Sequence, residues 1–328
     1  MTTPTRQTMN SKPVFTVPAK TVINFKSHFD KKLLCDGMTF TAGDACAYSC
    51  SFCYVDSMQT KRRDWLESHG VTGDHMSHVV RRENAVDILR KQIMSKQPSF
   101  RMKKQVIYSS PLVDVAANME LVRETVEICK VILSETWWDI RLLSKSNLLP
   151  RIAESLADWD IHNRAKSRII YGVSTGTLDD KLAAAFEEGT PLVSKRIESL
   201  HWLQDNGFRT FGMICPSLPQ ENYFHFSQSM ADAIRVEKCE HVWAEVINVR
   251  GDSFTRTIKA LDAAGFTKES NRVASVTMMK HKWEQYARST FEAHTNSIPA
   301  NKLRFLQYVT NDTRDWWKAR EAQGAVLL

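Results

Sequence analysis

The chain has 328 residues, 43% hydrophobic and 25% charged, with 12 Gly and 10 Pro. That balance supplies a large core and excludes collagenous or low-complexity chains. The 44 Lys and Arg against 37 Asp and Glu leave a net charge of +7, which permits a polyanionic partner without requiring one. The longest apolar runs are strand-sized, as in Val106-Ile107-Tyr108, so no membrane span is expected. Residues 1–13 are polar and lack a signal core, so the expected location is the cytoplasm.

Residues 1–37 read as a basic N-terminal extension, with six Lys/Arg and one Asp in its first 34 positions. Strand one is expected around Met38–Thr41, and a cysteine-rich loop follows it. A helix is expected over about 84–96, with Ala85, Ile88, Leu89 and Ile93 on one face. Strand two is 105–108, with a helix from about 119 to 133. Strand three is 139–143, with a short helix over 148–157. Strand four is 168–173, with helical stretches over 179–188 and 193–205, the second closed by Gly207. Strand five is 210–214, followed by a helix over 223–237. Strand six is 241–247. Six alternations of strand and helix imply a parallel sheet with right-handed crossovers. Residues 252–328 read as a helical C-terminal extension, and its Trp316-Trp317 pair reads as core packing or a lid rather than a base-stacking platform.

The seven cysteines carry the chemical signal. Four are scattered: Cys35, Cys129, Cys215 and Cys239. Three sit in one loop, Cys46-Ala47-Tyr48-Ser49-Cys50-Ser51-Phe52-Cys53. The count is odd and the expected compartment reducing, so a disulfide framework fits poorly. A loop of this length can bring three thiolates together by wrapping around a metal centre, and thiolates select zinc or iron–sulfur. Structural zinc wants a fourth close ligand, but Cys35 lies eleven residues upstream and His69 and His75 lie well downstream. Three ligands suit a [4Fe–4S] cluster with one open iron. Zinc, or three unmetallated buried thiols, remain the alternatives.

The C-x3-C-x2-C loop, with an aromatic before its last Cys, resembles the radical S-adenosylmethionine superfamily. Leu142-to-Ser146, Gly172-to-Asp179 and Gly212-to-Pro219 look like its spore photoproduct lyase and DNA-repair-photolyase-like branch. The resemblance covers about residues 38–251. It implies an α/β fold, a partial (β/α)6 TIM-like barrel with N- and C-terminal extensions. The implied cofactors are a [4Fe–4S] cluster on Cys46, Cys50 and Cys53, and S-adenosyl-L-methionine, cleaved to a 5′-deoxyadenosyl radical. A flavodoxin- or ferredoxin-like one-electron donor is the implied partner.

In such barrels the site lies at the C-terminal ends of the strands. There Phe52 is expected near the adenine, while Ser109 or Ser110, Lys145 and Ser174 are expected to bind the methionine carboxylate, ribose or amino group. Asn248 is a further candidate binding residue. Cys215, Glu245 and Arg250 are the candidate catalytic residues. The lyase branch carries a hydrogen-donating Cys after strand two, whereas this chain reads Tyr108-Ser109-Ser110-Pro111, so Cys215 is the candidate thiol from elsewhere. Lys61-Arg62-Arg63 and Arg81-Arg82 are expected on the same side and suited to phosphates. The expected substrate is a nucleic acid or nucleotide. A peptide or small metabolite is the alternative, and a zinc-binding interaction protein is the non-catalytic one.

Overall fold

The computed structural model describes residues 8, 9, 12–55, 57, 60–109, 111–248 and 252–328. The six expected strands lie side by side in one sheet, as β2 (Met38–Phe40), β3 (Val106–Ser109), β4 (Asp139–Ser144), β5 (Ile169–Thr175), β6 (Arg209–Ser217) and β7 (Cys239–Val246). Ile23–Asn24 adds β1 at one edge. Leu303–Gln307 and Ala325–Leu327 add β8 and β9 at the other. The strands lie side by side in chain order from β1 to β9, and every pair is parallel except β1 with β2. The sheet is open, with β1 and β9 as its edges. Residues 252–328, expected as a helical extension, thus also supply two strands of the central sheet, and residues 1–37 supply one.

Parallel strands covered on both faces read as continuous apolar runs. All seven residues of β5 are buried, and in β4 only Leu143 is not fully so. Gly172 of β5 lies under the Phe211 ring of β6: a Cβ there would stand 2.1 Å from that ring. At the end of β5, a Cβ on Gly176 would meet the Pro216 carbonyl oxygen at 1.9 Å, so only glycine lets these two strand ends approach.

The helices follow the apolar periodicity. In α1 (Ala85–Met94) the buried side chains are Ala85, Leu89 and Ile93, spaced four apart. The Asn118 side chain caps α2 (Met119–Glu135) by accepting from the Glu120 and Leu121 amides. Next come α3 (Leu149–Trp159), α4 (Asp180–Phe186) and α5 (Val193–Asp205), which Gly207 closes at φ +75°. Then follow α6 (Tyr223–Ile234), α7 (Ser253–Ala263), α8 (Thr267–Thr277) and α9 (Lys280–Ser297). Trp317 is fully buried, stacked on Phe305 of β8 at 5.7 Å, so the paired Trp belongs to the core. Among the described residues, no helix is long and apolar enough to cross a membrane.

Two contacts position the strand ends. The Tyr286 phenol of α9 donates to the Ser217 carbonyl of β6 and accepts from the Ile247 amide after β7 at 3.1 Å. Tyr286→Phe therefore orphans two buried backbone groups and is expected to destabilise by about 1–3 kcal/mol in urea unfolding. A change near zero would show that water replaces the phenol. Below the loop, Val79–Arg82 pairs in parallel with Lys12–Val17 and antiparallel with Gly43–Ala45, which leads into the first cysteine.

Candidate active site

A cavity of about 720 Å³ opens at the C-terminal ends of the strands. Cys46, Cys50 and Cys53 line it from one side. All seven cysteines are thiols rather than disulfides. The segment Ser49–Cys50 pairs antiparallel with Glu187–Glu188, just past α4. Ser51 donates its amide to the Phe186 carbonyl at 2.9 Å and shares a 3.0 Å hydroxyl bond with Thr257 of α7. From the same helix, Arg256 donates to the carbonyls of Ser51 at 3.0 Å and Cys53 at 2.8 Å. The cysteine loop is therefore held by backbone contacts from two distant parts of the chain.

Burial pushes the Cys46 thiol up to about 12, and the nearby Asp114 carboxylate adds to this. Burial, with Glu187 next, also holds the Cys50 thiol well above its ordinary range. Neighbouring thiols add to both shifts, as like charges crowded together do, so a bound cation would relieve Cys46 and Cys50. The Asp114 amide points at the Cys46 sulfur, 3.4 Å away. Among the described residues no cluster of three metal-binding side chains is already drawn together. The nearby carboxylates are also committed elsewhere. Asp114 accepts from the Ser144 hydroxyl and the Ala116 amide through one oxygen, and from the Lys145 amide through the other. Glu187 is bound through both oxygens to cations. Among the described residues, three thiols with the two adjacent carboxylates committed fit a [4Fe–4S] cluster with an open iron.

Behind the cysteines lies a buried ionic group. Glu187 is fully buried, 2.6 Å from the Lys145 ammonium and bridged on its other oxygen at 2.5 Å by Arg196, also fully buried. Lys145 also donates to the Ser174 hydroxyl and the Cys215 carbonyl, both at 3.2 Å, and stands 5.3 Å over the Phe52 ring. One carboxylate between two cations leaves this trio with one net positive charge.

No family model matches the sequence. An uncharacterized protein of Methanocaldococcus jannaschii is 28% identical over 176 residues, 53% of this chain and 58% of that protein. A variant of spore photoproduct lyase superposes with a TM-score of 0.54 at 12% identity, over 76% of this chain and 66% of the lyase. The lyase complexed with dinucleoside spore photoproduct gives 0.52 at 13%, with the same coverage. The chain has the fold of spore photoproduct lyase. It spans less than two thirds of the length of each of these proteins.

On this lyase fold the expected residues divide. Phe52, Lys145, Ser174, Cys215, Glu245 and Asn248 line the cavity together with the cysteines. Lys145 and Ser174 are bonded to each other, and Ser174 in turn donates to the Cys215 carbonyl at 3.3 Å. A ligand carboxylate reaching Lys145 must therefore replace one of its present acceptors. Ser109 is a correction: it is fully buried within β3, where its hydroxyl accepts the Leu143 amide at 3.3 Å, and it does not line the cavity. Three of the five basic residues expected to meet phosphates are held in ion pairs. Arg62 and Arg82 both pair with buried Asp44, and Arg81 pairs with Glu120 and Glu124. Ser110 and Arg250 lie outside the described residues.

Asp114, Glu187, Arg196 and Arg256 were not found from the sequence. Nor were Lys32 and Tyr308, which line the far side of the cavity. There Lys32 faces Glu245 at 3.4 Å, and its carbonyl is held by the Trp243 indole at 2.8 Å. Arg256→Ala removes the clamp on two loop carbonyls. Removing such a supporting contact typically weakens a metal site about 10–100-fold. A chelator challenge of the iron-loaded protein should show that loss, and equal retention would make the clamp dispensable.

Proposed function

We propose that the chain is a radical S-adenosylmethionine enzyme acting on a nucleotide or a nucleic-acid segment. The observation that carries this reading is the placing of three thiols from one eight-residue loop on a single cavity, beside the net-positive Lys145–Glu187–Arg196 group. Cys46, Cys50 and Cys53 would hold a [4Fe–4S] cluster. When bound, the cluster supplies an open iron for S-adenosylmethionine and the electron that cleaves its sulfonium to a 5′-deoxyadenosyl radical. That electron comes from a flavodoxin- or ferredoxin-like donor.

The chain's own groups orient the ligand. Phe52 offers an apolar face toward the adenine, with Lys145 over its ring. The net positive charge shared by Lys145, Glu187 and Arg196 favours a carboxylate at Lys145. The Asp114 amide supports the Cys46 sulfur. Burial pushes the Cys215 thiol up to about 12, which keeps its S–H intact for hydrogen-atom donation. This supports Cys215 in the place of the thiol absent after β3.

The far side of the cavity favours a nucleotide. Phe29 and Tyr308 present rings, and Lys31 and Lys32 add positive charge beside the His28 imidazole. A cavity of about 720 Å³ has the size of a small-molecule site, so a duplex would have to present an extruded nucleotide. Anaerobic reconstitution with iron and sulfide tests the reading. About four iron and four sulfide per chain are expected. A colourless protein holding one zinc would contradict it.

A further inference from the structure

Lys12 does not line the cavity, yet it stands against the cysteine loop from the other side. Its ammonium donates to the Tyr48 carbonyl, between Cys46 and Cys50, at 3.0 Å. It begins the strand Lys12–Val17, which is fixed by its parallel pairing with Val79–Arg82. Its charge acts on Cys46, Cys50 and Cys53, and it is half-buried. The anion beside it, Glu188, is exposed, so solvent screens that charge more than it screens Lys12.

We propose that Lys12 sets the reduction potential of the cluster held by Cys46, Cys50 and Cys53, and so decides how strong an electron donor the protein needs. This rests on the cluster reading above. Reduction adds one electron, and hence one negative charge, to a cluster carried by three thiolates. A fixed cation nearby stabilises the reduced form more than the oxidised one and raises the potential. The loop carbonyl holds the ammonium in place, while the cavity side stays open for ligand.

The test is a dye-mediated redox titration, followed by electron paramagnetic resonance, on reconstituted wild-type, Lys12→Gln and Lys12→Arg proteins. The expected result is equal iron per chain in all three, a more negative midpoint in K12Q, and a midpoint near wild type in K12R. A K12Q protein with a full cluster and an unchanged midpoint would overturn the proposal. So would a K12Q protein that loses its cluster while K12R keeps it, because Lys12 would then hold the loop rather than tune it. A wild-type protein that takes up no cluster overturns the underlying reading instead, and the iron count identifies that case.

Discussion

Glu187→Ala is expected to destabilise the protein by about 3–5 kcal/mol, because it leaves fully buried Arg196 and largely buried Lys145 facing each other without their shared anion. Glu187 is fully buried, with one oxygen on Lys145 and the other on Arg196. Water reaches Lys145 only from the cavity, and Arg196 is fully buried. Their remaining acceptors are neutral: Ser174 and the Cys215 carbonyl for Lys145, and the Pro191 and Ser174 carbonyls and the Thr190 hydroxyl for Arg196. The same substitution disturbs the site, because Glu187 is paired in register with Cys50 and sets the position of Lys145. Urea unfolding under anaerobic conditions measures the first effect. A loss below about 1 kcal/mol would mean that the trio is far better hydrated than its burial implies.

Cys50→Ala is expected to abolish cluster binding and to slow reductive cleavage of S-adenosylmethionine by a thousandfold or more, about 4 kcal/mol of barrier. Two thiols cannot hold the cluster with one iron left open, and no nearby carboxylate is uncommitted to replace the third. The fold should survive, since the loop is held through the carbonyls of Ser51 and Cys53 and the amide of Ser51 rather than through the Cys50 side chain. Unfolding close to wild type, together with absent iron and absent cleavage, is the expected pattern. Normal cleavage in the variant would remove Cys50 from the ligand set.

The sheet was legible because parallel strands buried on both faces are contiguous apolar runs, and β4 and β5 are such runs. The cysteine loop was legible because its spacing has few other uses. The ionic centre was not. The helical pattern over 179–188 runs straight through Glu187, which hid the end of α4 at Phe186 and the return of the chain along Ser49–Cys50. The Lys145–Glu187 pair joins residues 42 apart, and nothing local marks such a pairing. Arg62 and Arg82 read as a phosphate surface because their partner, Asp44, falls where only a loop was expected but is a buried strand residue. Ser109 was misplaced because β3 continues through it, so its hydroxyl belongs to the ladder beside β4 rather than to the loop.

The central claim is that the three loop cysteines support reductive cleavage of S-adenosylmethionine. Its most direct test is to incubate the reconstituted protein anaerobically with dithionite and S-adenosylmethionine and to quantify 5′-deoxyadenosine by mass spectrometry. The account predicts 5′-deoxyadenosine from the wild-type protein and none from Cys50→Ala. A wild-type protein that carries the intact cluster and yields no 5′-deoxyadenosine would contradict it.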